Sequence, residues 1–417
     1  MQTIIYKIKI KYSMKSINDL DVKGKRVLVR VDFNVPLDKE GHITDDTRMR
    51  KAIPTINNLI SRGASIILAS HLGRPQKDKH DNGNIKKEKY TLKHLVEHLA
   101  ELTHAEIVFA DDCIGGETEL KAERLKPGEI LLLENTRFHA GESKGDMDLA
   151  IGLSRLADIY VNDAFGTAHR AHASTATVAN YFEPDAKALG QLMLAEIDSA
   201  DKLLNSPKRP VVAIVGGAKV SDKIKLLEKL VEVVNHVCIG GGMAYTFIKS
   251  RGGEVGDSLC EDDMLDLAQE ILEKAERLGT DIHLPVDNLI ADAFADDANT
   301  KVVEAGDIPD DWQGLDIGPK TIEQFSKVIM KAQSILWNGP MGVFEMPTFS
   351  NGTYSIAQTV ADSTKNGAYS LIGGGDSVSA INKSGLADAV SFVSTGGGAM
   401  LEYLEGKTLP GIKAVTG

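Results

Sequence analysis

Residues 211–223 read VVAIVGGAKVSDK: an unbroken β-branched apolar run, a glycine pair, then a polar stretch carrying two lysines. A strand that alternates apolar with polar has one wet face. A run without alternation belongs to a strand buried on both faces, as in a parallel sheet covered by helices. The same sequence of run, loop and helical segment recurs along the chain. In the first half the runs are Val27–Val31, Ile66–Ala69, Ile130–Leu133 and Ile159–Val161. In the second half they are Val211–Val215, Val237–Ile239, Ile335–Trp337, Tyr369–Ile372 and Val390–Val393. Right-handed crossovers put the C-terminal loops of all such strands on one edge of their sheet, and ligands of these sheets bind there. The fold class is therefore α/β with mainly parallel sheets, and the loops after the strands carry the function.

A chain of 417 residues favours two domains. Leu203–Pro210, LLNSPKRP, lacks hydrophobic periodicity and marks a boundary after a helix near Leu189–Leu204. No apolar run approaches the roughly 20 residues of a membrane span. A net charge of −12 argues against a general affinity for nucleic acid or anionic lipid. Three cysteines, Cys113, Cys238 and Cys260, form neither a disulfide framework nor a four-ligand zinc site, which points to a reducing cytoplasm. Residues Met1–Ser13 alternate apolar and basic residues without the core of a secretory signal. They read as an extra leader before a native start at Met14. Gln76–Lys89 reads as a solvated, charged loop.

The first-half loops collect arginine, histidine and small polar residues. Arg30, Asp32 and Asn34 end the first run; His71, Gly73 and Arg74 follow the second. Asn135 and Arg137 follow the third, and Asn162, Asp163, His169, Arg170 and His172 the fourth; Arg48 and Arg50 open a helix. Guanidinium forks bind carboxylate and phosphate bidentately. Several at one sheet edge form a pocket for a small polyanion, whatever the total charge. His169 and His172 lack further ligands for a metal.

The second-half loops are glycine-rich: Gly216–Gly217–Ala218–Lys219, Gly240–Gly242, Gly373–Gly375 and Gly396–Gly398. Glycine lets backbone N–H groups approach phosphate oxygens. Lys219 and Lys223, placed at the start of a helix over Val220–Val234, should share one face of it. Asp376 can reach Mg²⁺, which takes carboxylate plus phosphate oxygens. Neither GxxxxGK[ST] nor GxGxxG is met. An arginine-lined anion pocket in one lobe and a phosphate cradle in the other suggest phosphoryl transfer. A nucleotide-dependent ligase or dehydrogenase, or a two-lobed solute-binding protein, are the competing readings.

Ordered motifs then narrow the choice. VLVRVDFNVP (Val27–Pro36), DDTRMR (Asp45–Arg50), SHLGRP (Ser70–Pro75), LLENTRF (Leu132–Phe138) and NDAFGTAHRAHAS (Asn162–Ser174) are followed by GGAKVSDK (Gly216–Lys223) and IGGGMAYTF (Ile239–Phe247). LDIGP (Leu315–Pro319), WNGPMGVFE (Trp337–Glu345), IGGGDS (Ile372–Ser377) and STGGGA (Ser394–Ala399) complete the series. In this order they resemble phosphoglycerate kinase over about residues 14 to 412. The resemblance implies two Rossmann-like three-layer α/β/α lobes joined by a hinge. It divides the chain into the leader 1–13, a 3-phosphoglycerate-binding domain 14–188, a hinge helix 189–207, a nucleotide-binding domain 208–395, and a segment 396–417 returning toward the first domain. The implied reaction moves a phosphoryl group from 1,3-bisphosphoglycerate to ADP, giving 3-phosphoglycerate and ATP, with Mg²⁺ accompanying the nucleotide and the chain acting as a monomer.

Carried over by motif, Asp32, Phe33, Asn34, Arg48, His71, Leu72, Gly73, Arg74, Arg137 and Arg170 would bind the triose substrate. Gly217, Ala218, Lys219, Lys223, Gly241, Gly374, Gly375, Asp376 and Ser377 would hold nucleotide phosphates, with Asp376 on the metal. Leu315, Asn338, Pro340, Val343 and Glu345 would surround the nucleoside, with Glu345 on the ribose hydroxyls. Arg48, Lys219, Gly375 and Gly397 would act on the transferring group. No general base stands out, and a carboxylate nucleophile ionised at pH 7 needs none. GQLMLAEI (Gly190–Ile197) is a variant of the family's interdomain segment.

Overall fold

The computed structural model describes residues 14–417; the Met1–Ser13 segment and the leader expected there lie outside the described residues. Two compact units divide the chain. One runs up to Ile197 and takes in Thr408–Gly417; the other is Asp198–Lys407. The first division falls inside the helix Gln191–Leu204, ahead of the proline-bearing Leu203–Pro210. The second falls after the helix Gly398–Leu404, which packs on the helix Ile224–Leu230 and so stays with the second unit.

The first unit has strands β1 (Arg26–Arg30), β2 (Ser65–Ala69), β3 (Ile107–Phe109), β4 (Ile130–Leu132), β5 (Ile159–Asn162) and β6 (Lys187–Leu189). Their order is β3-β4-β2-β1-β5-β6 and every pairing is parallel. Val27 pairs with Ile66 on one side and Ile159 on the other, so β1 is flanked by apolar neighbours and must be apolar itself. Met49, Ala52, Ile56 and Leu59 of the helix Thr47–Ser61 lie at four- and three-residue steps along one stripe and close the core over Val27, Val29 and Leu68. The terminal helix Pro410–Thr416 is tied to the same sheet: Asn162 Nδ2 donates to Gly411 O at 3.1 Å and Lys187 Nζ to Ala414 O at 3.0 Å.

The second unit has β7 (Val211–Val215), β8 (His236–Ile239), β9 (Glu254–Val255), β10 (Asp281–His283), β11 (Asp287–Ala291), β12 (Thr300–Glu304), β13 (Asp307–Ile308), β14 (Gln313–Ile317), β15 (Ser334–Asn338), β16 (Tyr369–Ile372) and β17 (Phe392–Val393). Its main sheet is again parallel, in the order β10-β8-β7-β15-β16-β17. An antiparallel sheet β12-β11-β14 and the short pair β13-β9 are additions that apolar runs did not announce. All five residues of β7 and of β15 are buried, which is why these strands were legible as runs.

Each six-stranded sheet has a point where the strand order reverses: at β1/β5 in the first unit and at β7/β15 in the second. The loops leaving those strands diverge and open a crevice beyond their C-terminal ends. In both units the expected site residues start there.

Candidate active site

In the first unit, the crevice beyond β1 and β5 is floored by a buried polar network. Arg30, fully buried, donates from Nε to Ser174 Oγ at 2.7 Å and from Nη1 to Val31 O. Its Nη2 faces His71 Nδ1 at 3.3 Å. An arginine only donates, so Nδ1 is the acceptor and the imidazole proton sits on Nε2. Burial first, then the charges of Arg30, Arg137, Arg48 and His172, hold the His71 pKa well below its ordinary value, in keeping with a neutral ring. Burial likewise lowers His172 to about 4.

Arg48, near the start of its helix, donates from Nη1 to Asp32 Oδ2 at 3.0 Å. The other oxygen, Asp32 Oδ1, is buried and has no hydrogen-bond partner among the described residues. Arg137 donates to Gly73 O at 2.5 Å, while Gly73 N–H donates to Asn34 Oδ1 at 2.8 Å. Desolvation, reinforced by Arg30 and Arg170, lowers the Arg137 pKa to about 10, still charged at neutral pH. Arg30, Arg48, Arg137 and Arg170 thus act on one another or on His71, with Asp32 and Glu142 as the acids among them. Four guanidinium groups against two carboxylates leave a positive surplus, the electrostatics of a site for a small polyanion.

Phe33 and Leu72 are buried and shape the loops; Phe33 contributes its N–H to Ser70 Oγ at 2.8 Å. Arg170 Nε contacts His169 Nε2 at 3.1 Å. Arg74 is exposed at the rim.

Two features escaped sequence reading. Glu142, fully buried, accepts from Ser174 Oγ at 2.5 Å, Ser174 N at 3.0 Å and Thr136 Oγ1 at 3.3 Å, and so anchors the hydroxyl that carries Arg30. In sequence it is one acid in a Gly- and Lys-rich loop, with no local signal. The second feature lies in Gln76–Lys89, which is exposed along most of its length as expected of a solvated, charged loop, yet is internally tied. Asp78 accepts from Lys86 Nζ at 2.7 Å, Lys89 Nζ at 2.5 Å and Tyr90 OH at 2.9 Å, gathering the loop into a knot. Those three donors hold Asp78 far below the usual carboxylate range. The edge of the Tyr90 ring then lies against Gly73, where a Cβ would sit 2.4 Å from Cε1; with φ of +60° as well, the position favours glycine strongly.

In the second unit, backbones meet without side chains between them. A Cβ on Gly216 would lie 2.0 Å from Pro340 O, and one on Gly339 (φ +108°) would lie 2.1 Å from Gly216 O. Gly216 N–H donates to Asn338 O, Gly241 N–H to Met341 O and Met243 N–H to Gly217 O, each at 3.0 Å. The loops after β7, β8 and β15 are thereby fused into one floor. Asn338, fully buried, accepts from Lys223 Nζ and donates from Nδ2 to Gly373 O at 2.8 Å, tying in the loop after β16. Ser377 Oγ accepts from Gly339 N. Burial lowers the Lys223 pKa, opposed by Asp376, Asp222 and Glu405.

The lysine pair is not arranged as the spacing suggested. Residues 221–223 form turns, and the helix spans only Ile224–Leu230, with Lys223 at its N-cap and Lys219 in the loop before it. The apolar period of Val220–Val234 overstated the helix at both ends because chain reversal claims those residues. Lys219 is exposed, and its charge is felt at Glu261, which accepts from the Ser221 hydroxyl at 2.6 Å. Gly217 and Ala218 share its loop. Gly374 caps the helix Gly375–Lys383, with exposed Asp376 in the first turn; Gly397 caps the helix Gly398–Leu404.

Leu315 and Val343 are joined by a 2.8 Å backbone bond and belong to an apolar cluster with Phe349 and Met346. Pro340 is buried and Glu345 exposed along the same loop. Asp316, buried beside them, accepts from Gly352 N–H at 2.7 Å and Ile317 N–H at 2.9 Å, and burial raises its pKa to about 7.

Known proteins resemble this chain in sequence and in fold. The sequence model of the Phosphoglycerate kinase family matches residues 17–407. The phosphoglycerate kinase of Porphyromonas gingivalis is 49% identical across 96% of this chain and 100% of its own length. That of Thermosynechococcus vestitus is 50% identical across 97% and 99%. The solved phosphoglycerate kinase of Coxiella burnetii superposes with a TM-score of 0.85 at 42% identity, covering 97% of this chain and 99% of the other. That of Pyrococcus horikoshii OT3 gives 0.78 at 32% identity, covering 96% and 98%. With two parallel α/β units and paired sheet-edge sites, the chain belongs to the phosphoglycerate kinase family of enzymes.

Proposed function

We propose that the chain catalyses reversible phosphoryl transfer from 1,3-bisphosphoglycerate to ADP, giving 3-phosphoglycerate and ATP. The observation that carries this reading is the pair of complementary sites: an arginine-rich pocket in one unit and a glycine-lined floor bearing Lys219 and Lys223 in the other. The first suits a triose carrying phosphate and carboxylate, and the second suits a polyphosphate.

Arg137 and Arg170, with exposed Arg74, hold the triose phosphate. Asp32 Oδ1 accepts the substrate hydroxyl, which gives that buried oxygen the partner it lacks. Asn34, His71 and the Leu72–Gly73 backbone complete the pocket. Gly217, Ala218, Gly241 and Gly374 bring backbone amides to the nucleotide phosphates, with Lys223, Asn338 and Ser377 beneath. Leu315, Pro340 and Val343 bound the base, and Glu345 accepts from ribose hydroxyls.

In the ATP-consuming direction the attacking oxygen belongs to a carboxylate already ionised at neutral pH. No general base is required, and catalysis reduces to alignment and charge neutralisation. Arg48 from one unit and Lys219 from the other neutralise the transferring group, with Gly375 and Gly397 amides contributing. Because each unit carries one reactant, transfer follows hinge closure about residues 189–207, which also keeps water from the acyl phosphate. Asp376 is an exposed single carboxylate beside a phosphate floor, a donor set that suits Mg²⁺ bound mainly through nucleotide oxygens. The ion would neutralise phosphate charge. The free cysteines suit a reducing cytoplasm, where the chain acts as a monomer.

Incubation with ATP, Mg²⁺ and 3-phosphoglycerate, with hydroxylamine to trap the acyl phosphate, tests the reading. Hydroxamate should form only when both substrates are present. A folded, nucleotide-binding protein that yields none would overturn it.

A further inference from the structure

Outside the two sheet-edge sites, we propose that His236, Asp281 and His283 form a binding site for a divalent transition-metal ion, with zinc as the best fit. The three come together through sheet register. Asp281 on β10 is the direct partner of His236 on β8, and register partners share a face. His283, two residues beyond Asp281, returns to that face.

The geometry goes beyond proximity. His283 Nε2 lies 3.3 Å from His236 Nδ1, and Asp281 Oδ2 lies 3.2 Å from the same nitrogen. An imidazole nitrogen has one in-plane lone pair or one proton, so it makes one good hydrogen bond. Two partners converging on Nδ1 are therefore over-subscribed as a hydrogen-bonded cluster. A cation among the three resolves this. With zinc–ligand distances of about 2.0–2.1 Å, the edge of a regular tetrahedron is about 3.3 Å, which matches both separations. All three donor atoms lie within 4.8 Å of one another.

Two nitrogens and one carboxylate form a borderline donor set that favours zinc, cobalt or nickel over a hard cation such as magnesium. The site is thus chemically distinct from that of the nucleotide's metal. Asp281 is 69% exposed and His236 29%, which leaves an approach for the ion and room for water as fourth ligand. The other candidate cluster, Asp112, Cys113 and His139, is weaker: the Cys113 thiol is buried and donates to Glu134 O at 2.9 Å, and burial raises its pKa.

An ion there would clamp the outer strand β10 to β8, so it should stabilise the fold without entering turnover. The test is titration of the chelator-stripped full chain with Co²⁺, followed by visible absorption. The wild type should take up a single equivalent with the intense d–d band of tetrahedral cobalt. Zn²⁺ should erase the band and raise Tm. His236→Gln and His283→Gln should each lose both responses with turnover of Mg²⁺·ATP unchanged. Absence of the band in the wild type, or its persistence in both variants, would overturn the proposal.

Discussion

Arg48 is bonded to Asp32 at 3.0 Å, and the two are unequally placed: the Asp32 side chain is 9% exposed and that of Arg48 36%. The carboxylate is a fixed anchor, and the guanidinium is an aimed group with donors to spare. Arg48→Ala should lower kcat by about 10²–10³, the usual cost of removing one preorganised donor. Asp32→Asn, which keeps the charge of Arg48 but loosens its anchor and alters the hydroxyl acceptor, should act mainly on the KM for 3-phosphoglycerate. Steady-state kinetics of both variants decide this.

Glu142 carries no proposed contact with substrate, yet its removal should be costly. Glu142→Gln places an amide N–H₂ against donors from Ser174 or Thr136 and leaves the Arg30 charge less balanced. Urea unfolding should show a loss of about 3 kcal/mol, with an unchanged slope against denaturant.

A pH effect on stability should trace to Asp163. Its carboxyl is fully buried at the start of the Gln191–Leu204 helix, with Oδ1 accepting from Met193 N–H at 3.1 Å and Oδ2 without a hydrogen-bond partner among the described residues. Burial raises its pKa to about 7 from an ordinary 3.8. Between those values the native state holds a proton that the unfolded chain has released, so this group's contribution to stability falls as pH rises from about 4 to 7. His71 and His172, held neutral, act oppositely and remove stability as pH falls below about 6.5. Asp163→Asn keeps the shape without the titration. The Tm of the variant relative to wild type should therefore be higher at pH 8 than at pH 5; a constant difference would refute the assignment.

Tyr90 supports the proposed substrate pocket through Gly73, whose N–H donates to Asn34 and whose carbonyl accepts from Arg137. Tyr90→Ala should raise the KM for 3-phosphoglycerate about tenfold, on the scale of one weakened charged hydrogen bond, and leave that for ATP unchanged. Tyr90→Phe, which keeps the ring, should largely restore it.

What could be read in advance follows from where the residues sit. Central strands such as β1, β7 and β15 are buried on both faces, so their apolar runs are continuous and visible. Edge strands β3, β6 and β10 have three residues each and are partly exposed, too short to stand out as continuous runs. The arginines and glycines were legible because they sit in loops at strand ends, where the proposed polyanion and phosphate sites need those residue types. The contacts of Glu142 and Tyr90 that matter to the pocket run to partners distant in sequence, Ser174 and Gly73. The Lys219–Lys223 spacing suggested a helical face, but turns at 221–223 place the pair differently.

The central claim is direct transfer between the two units, with Lys219 neutralising the passing group. It is tested most directly by ATP- and Mg²⁺-dependent phosphorylation of 3-phosphoglycerate, comparing wild type with Lys219→Ala. The account predicts turnover in the wild type and a loss of about a hundredfold or more in the variant, with Kd for ADP little changed. A Lys219→Ala enzyme of nearly full activity would contradict it.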